Sequence, residues 1–236
     1  MIRPKSEVED PRDLRLGLAE FRILRDLVGA RCGLDLLPAQ RITVERKLRD
    51  RLAMLGVDSF ADYVRSLRDP MGRSELDEAV DLLTTNETYF FREEYQLHAF
   101  REEVIPLLAK SAQARQRLAI WSAGCSTGEE PYSLAIMLLE APELAGFELR
   151  VFGSDISRRC IAHARRAVYG PSAFRTTPSE YKRRWFTERP DGFHVSERVR
   201  SICHFGHVNL LDAERAATVG RMDAVFCRNV LIYLEQ

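Results

Sequence analysis

The 236-residue sequence predicts an α/β fold preceded by an all-helical domain, on three observations. From Leu18 to about Thr84 the apolar pattern is helical throughout. Leu118-Ala119-Ile120-Trp121 is then an apolar run of the length expected of a buried strand. It breaks into Ser122-Ala123-Gly124-Cys125-Ser126-Thr127-Gly128 and restarts as a helix with Pro131 in its first turn. A second run, Phe147 to Ser154, ends on Asp155, and Ser157 can cap a helix reaching about Ala167. Strand, glycine turn and helix N-terminus together form the geometry by which an α/β sheet holds a ligand at the carboxyl ends of its strands.

Taken in order, residues 1 to about 17 are polar and expected to be loose. Leu18 to Arg31 forms a helix that Gly33 can stop. In the next helix, Arg41 to Leu55, the stripe Val44, Leu48, Leu52 and Leu55 should face the core. Arg41, Arg46, Lys47, Arg49 and Arg51 crowd the remainder against only Glu45 and Asp50. Such a run is either a solvated face or a docking surface for an acidic partner. Ser59 with Asp62 and Ser74 with Asp77 are spaced as capping boxes, with Asp69-Pro70 as punctuation. The segment Thr84 to Arg92 has the donors of a binding site in Asn86, Thr88 and Arg92. Glu93 to about Leu108 reads as a helix disturbed near Pro106. Ile202 to Val208 and Met222 to Phe226 should be the third and fourth strands.

Composition narrows the functional classes. Lys+Arg and Asp+Glu are equal at 35 each, so no global field argues for nucleic acid or an anionic membrane. The longest apolar run is too short to span a bilayer, so no membrane insertion is expected. Five cysteines without a Cys-x-x-Cys, behind a polar N-terminus, read as free thiols in a reducing cytoplasm. His163, His194, His204 and His207 lack ligand spacing, so no metal is expected.

The glycine turn admits several occupants. Glu129 and Glu130 stand where a phosphate loop needs lysine, which removes a nucleoside triphosphate. Gly124-Cys125-Ser126-Thr127-Gly128 fits the nucleophile elbow of hydrolases, with Ser126 as nucleophile. A cofactor with hydroxyls and an ammonium group but no phosphate, such as S-adenosylmethionine, suits acidic residues beside a glycine turn. A purely structural turn is the fourth option. Asp155, ending the second strand, is placed to accept hydrogen bonds from a ribose, a task a hydrolase does not give it.

The segments TTNETYFFRE, IWSAGCSTGEEPYSLAI, GSDIS, VNLL and FCRNVLIYL occur in this order. Together they resemble the CheR-type chemotaxis receptor protein-glutamate O-methyltransferases, from about Phe21 to the last residue. The resemblance implies an N-terminal helical receptor-docking domain over 1–85. A class I S-adenosylmethionine-dependent methyltransferase domain, with a Rossmann-like sheet, would follow over 86–236. A small antiparallel β insertion is implied over 170–200. The family continues through a helix and three more strands, so the sheet is expected to lack its C-terminal strands and leave the fourth strand as an edge.

By the same resemblance, Asn86, Thr88 and Arg92 close over the cofactor. Gly124, Glu130, Asp155, Asn209, Leu210, Cys227, Arg228 and Asn229 are also implied cofactor positions. Tyr233 is expected near the transferred methyl, with Arg92 as the other catalytic candidate. The basic helix carrying Arg41, Arg46, Lys47, Arg49 and Arg51 matches the one associated with the acidic methylation region of receptor coiled coils. The short loop from Trp185 to Phe193 implies a member that does not need a receptor-tail pentapeptide tether. The expected reaction is methyl transfer to receptor glutamate carboxylates, giving methyl esters and S-adenosylhomocysteine. The alternatives are a truncated, catalytically weak module that binds cofactor or receptor, and, more remotely, a Ser126 hydrolase.

Overall fold

The computed structural model describes residues 14–233, with the side chain of Tyr233 outside that description. The chain divides into two compact units, one ending at Thr84 and one spanning Thr85–Leu231, with Ile232 and Tyr233 grouped with the first.

Among the described residues the first unit is built of four α-helices: α1 (Leu18–Cys32), α2 (Arg41–Leu55), α3 (Phe60–Arg68) and α4 (Arg73–Leu83). Gly33 ends α1 in the left-handed region at φ 75°, its N–H bonded to the Gly29 carbonyl, as its position after the last apolar residue predicts. Phe21, Leu24, Val28, Val44, Leu48, Leu52, Tyr63 and Val80 are buried in the unit's core. Leu55 departs from the predicted stripe. It is 43 % exposed because α2 stops there at Gly56, whose φ is 64°. Glu45 is buried in its place, accepting from the Leu16 N–H at 2.9 Å and from Arg49 at 2.8 Å. Leu16 is fully buried, which corrects the expectation of a loose segment reaching residue 17. The expected residues 1–13 lie outside the described residues.

Ser59 caps α3 as predicted, its hydroxyl accepting from the Asp62 N–H. Ser74 caps nothing. Asp69 caps a 3₁₀ turn at Pro70–Gly72, which moves the start of α4 to Arg73 and leaves Ser74 inside the helix.

The second unit opens with α5 (Glu94–Ala99), a π turn at Phe100–Val104 and α6 (Ile105–Ala112). The predicted disturbance lies on the N-terminal side of Pro106. Its missing N–H and its ring open the helical ladder, and the Ile105 N–H reaches back five residues to Phe100. Four strands then form a fully parallel sheet in the order β6-β2-β1-β7. They are β1 (Arg117–Ala123), β2 (Glu148–Asp155), β6 (Cys203–His207) and β7 (Ala224–Phe226). Helices α7 (Glu129–Glu140) and α8 (Arg158–Arg166) follow β1 and β2, the alternation that a parallel sheet requires. Leu118, Ile120 and Val151 on the strands, with Leu134 to Leu138 on α7, are almost wholly buried. Between β2 and β6 lies an antiparallel insertion of order β3-β5-β4, made of Val168–Tyr169, Gly192–Val195 and Phe186–Arg189. Within it α9 (Ser179–Trp185) joins β3 to β4, and α10 (Glu197–Arg200) follows β5, while α11 (Ala213–Ala217) leads into β7.

Candidate active site

The site is built where β1 and β2 end side by side, Ala123 against Ser154. Beyond them the chain must turn sharply, and Gly124 (φ 75°) and Gly128 (φ 98°) supply left-handed backbone. A side chain at Gly128 would also lie 2.7 Å from the Ala164 Cβ and 3.0 Å from the Tyr169 hydroxyl. Ser126 holds a left-handed conformation too, at φ 49°. Its N–H donates to Asp155 Oδ2 at 2.8 Å, and the Ser157 N–H donates to Oδ1 at 2.8 Å. Asp155 therefore ties the turn after β1 to the turn after β2 while lying buried at the strand ends.

Glu130, on the first turn of α7, accepts from the Ser122 hydroxyl at 2.7 Å and from Arg228 Nη1 at 3.2 Å. Burial pushes its carboxyl above the ordinary range, and the Ser122 and Arg228 contacts oppose that rise. Arg228 comes from the turn after β7. It also donates Nε to Gln96 at 2.6 Å and Nη2 to the Arg92 carbonyl at 2.7 Å. Asn229, at φ 56°, donates to Glu93 Oε1 at 3.0 Å. Cys227 is half-buried, which pushes its thiol up.

The segment before α5 folds onto the same region. The Ser126 hydroxyl donates to the Asn86 carbonyl at 3.0 Å, and the Phe91 N–H donates to the Ser133 hydroxyl at 3.0 Å. Phe90 is fully buried among Tyr169, Phe174 and Phe186, anchoring the segment. Arg92 donates to the Glu87 carbonyl at 2.8 Å, its guanidinium 5.8 Å from the Tyr89 ring. The half-buried Asn86 and Thr88 side chains have no protein hydrogen-bond partner among the described residues, so their polar groups remain available to a ligand. Asn209 Oδ1 accepts from the Leu211 N–H at 3.1 Å just after β6, with Leu210 half-buried beside it.

Hydrogen bonds thus join Glu130, Arg228, the Arg92 carbonyl, Glu93 and Asn229, and tie Asp155 through Ser126 to the Asn86 carbonyl, with Gly124 in the same turn as Ser126 and Cys227 beside Arg228. The Tyr233 role falls on a side chain outside the described residues. Glu93 and Gln96 are partners that sequence reasoning missed. The one available signal was their position directly after Arg92, in a segment already marked as functional. The Ser126 hydroxyl is directed at a carbonyl instead of an imidazole, which removes the hydrolase alternative. Among the described residues no cluster of His, Cys, Asp or Glu could hold a metal ion, and no helix is long and apolar enough to cross a membrane.

A parallel sheet whose glycine turn is walled by carboxylates, with no lysine in the loop, defines a domain for a hydroxyl-bearing cationic cofactor. It is the architecture of an α/β methyltransferase. The chain belongs to the CheR methyltransferase family. Residues 86–236 match the family model described as "CheR methyltransferase, SAM binding domain", and residues 19–84 match "CheR methyltransferase, all-alpha domain". It is 37 % identical over 229 residues to the chemotaxis protein methyltransferase of Salmonella typhimurium, covering 94 % of this chain and 76 % of that protein. It is 35 % identical to the Escherichia coli protein of that name, covering 94 % and 77 %. The corresponding protein of Borreliella burgdorferi is 32 % identical, with coverage of 86 % and 74 %. The chain is accordingly an S-adenosylmethionine-dependent methyltransferase of the chemotaxis type, with that cofactor as methyl donor.

Proposed function

We propose that this protein methylates glutamate side chains of chemotaxis receptors. The observation that carries this reading is a site with carboxylates and a fixed guanidinium but, among the described residues, no activated nucleophile. The Ser126 hydroxyl is spent on a carbonyl, and burial drives the Cys125 thiol well above its ordinary range. Such a site suits a substrate that arrives as its own nucleophile. A glutamate carboxylate is ionised at neutral pH, so no general base is needed.

S-adenosylmethionine, when bound, supplies an electrophilic methyl, leaving a glutamate methyl ester and S-adenosylhomocysteine. The chain's own residues bind, orient and exclude water, where effective molarity supplies most of the rate. Asp155 holds the ribose hydroxyls, and Glu130 takes the ribose or the methionine ammonium. Asn86 and Thr88 of the preceding segment would contact the cofactor as well, as would Asn209, Leu210, Cys227, Arg228 and Asn229. Arg92 grips the cofactor carboxylate or orients the incoming glutamate, and Tyr233 guides the acceptor at the methyl.

Docking falls to the exposed face of α2. Within the helical unit Arg41 donates to the Leu16 carbonyl, Lys47 to those of Leu83 and Thr84, Arg49 to Glu45 and Arg51 to Glu75. Arg46 is exposed, with no charged partner among the described residues, and is the cation best placed to meet an acidic coiled coil. Only Pro190 and Asp191 separate β4 from β5, a turn that favours a member independent of a pentapeptide tether.

The test is transfer of labelled methyl from S-adenosylmethionine to a receptor cytoplasmic fragment. Base-labile label is expected, and it should disappear when the receptor's methylatable glutamates are replaced by alanine. Asp155→Ala should abolish S-adenosylhomocysteine binding in calorimetry. Cofactor binding without any transfer would instead support an inert binding module, and label on a site other than glutamate would refute the substrate.

A further inference from the structure

We infer that Glu93 is a positioning residue whose carboxylate ties the turn carrying Arg228 and Asn229 to the segment carrying Asn86, Thr88 and Arg92. Glu93 follows Arg92 and sits at φ 58°, ψ 64°, a left-handed conformation that glutamate seldom adopts. It stands at the N-cap of α5 but makes no capping bond, so its side chain does not serve that helix. Its Oε1 accepts from Asn229 Nδ2 at 3.0 Å and its Oε2 from Arg228 Nη2 at 3.3 Å. Asn229 is itself left-handed, a conformation asparagine adopts more readily, so two left-handed residues 136 apart in sequence meet side chain to side chain. Strain of this kind persists where the surroundings over-determine it, and it concentrates at ligand clamps.

The charges reinforce the geometry. Arg228 is held between Glu130 on α7 and Glu93 on the segment before α5, with Gln96 and the Arg92 carbonyl completing its donors. Arg92 Nε stands 4.0 Å from Glu93. The bond from Asn229, then those from Arg228, hold the Glu93 carboxyl below the usual range, so it stays charged at working pH. Without that carboxylate the Asn229 amide loses its partner and Arg228 loses one of its two acidic contacts. Ordering the turn against the segment would then have to be accomplished by the cofactor itself, at a cost in affinity.

This inference rests on the cofactor positions proposed above, and the experiment separates the two. Calorimetry with S-adenosylhomocysteine and thermal unfolding without ligand would be run on Glu93→Ala, Glu93→Gln, Asn229→Ala and the Glu93→Ala/Asn229→Ala double variant. Glu93→Ala is expected to weaken S-adenosylhomocysteine about tenfold, the scale of one charged hydrogen bond, with little change in the ligand-free midpoint. Glu93→Gln, which retains an acceptor, should recover part of the loss. The double variant should bind no more weakly than the poorer single one, because both remove the same bridge. Affinity within twofold of the parent in both Glu93 variants, or additive losses in the double, overturns the inference. Loss of ligand-free stability with affinity intact also overturns it, by making Glu93 structural. If Asp155→Ala leaves binding unchanged, the site assignment itself fails.

Discussion

Glu129 precedes Glu130 on α7, is 4 % exposed, and its carboxylate accepts from the Thr127 hydroxyl at 2.7 Å. Burial raises its carboxyl above the ordinary range, so the native state binds its proton more tightly than the unfolded chain does. The resulting stabilisation is complete below the unfolded value of ~4.3 and is lost as pH rises through the folded one. At neutral pH the charge is therefore a cost. Glu129→Gln should raise the unfolding midpoint at pH 7–8, by on the order of 1 kcal/mol of stability, with the difference closing towards pH ~4.3. Thermal unfolding of both proteins across that range checks it, and a gain independent of pH would refute the mechanism. At this scale the sequence was only partly legible. Asp155 could be read from the strand it ends, whereas Glu93 could not, because Asn229, which explains it, lies 136 residues away.

Among the elements, α2 divides its cations between structure and surface. Lys47 Nζ donates at 3.1 Å to both the Leu83 and the Thr84 carbonyls, where the end of α4 leaves its acceptors open. Lys47→Met should therefore destabilise the protein by roughly 0.5–1.5 kcal/mol. Arg46→Glu should leave the unfolding midpoint within about ±0.5 kcal/mol of the parent, as surface changes do, while weakening receptor binding. The reverse pattern would mean that the two roles are exchanged. Periodicity was enough to delimit α2, and apolar runs flanked by turn residues located every strand of the parallel sheet. Neither disclosed that Arg51 pairs across helices with Glu75 at 2.5 Å, since a charge run looks the same whether its partners are solvent or a neighbouring helix. The Ser74 cap failed for a similar reason: the spacing was right, but Pro70 had already started a 3₁₀ turn.

For the whole molecule, equal numbers of acidic and basic residues leave no long-range field, so encounter with the proposed receptor partner must depend on local charge. Methylation rate at subsaturating receptor should fall between 50 mM and 500 mM salt, while S-adenosylhomocysteine affinity at the proposed site of buried Asp155 and half-buried Glu130 should hardly change. A parallel loss of both would place the salt effect in the cofactor site. The sheet order carries a further consequence. Strand β1 pairs with β2 on one side, Ile120 opposite Val151, and among the described residues its other flank is covered by β7 alone, Ile120 opposite Ala224. During synthesis at ~5–20 residues per second, that flank stays bare for several seconds after β2 has emerged. For that interval the nascent chain presents an open strand that another polypeptide can occupy, so holding it apart from its neighbours on the polysome is when a chaperone would matter most.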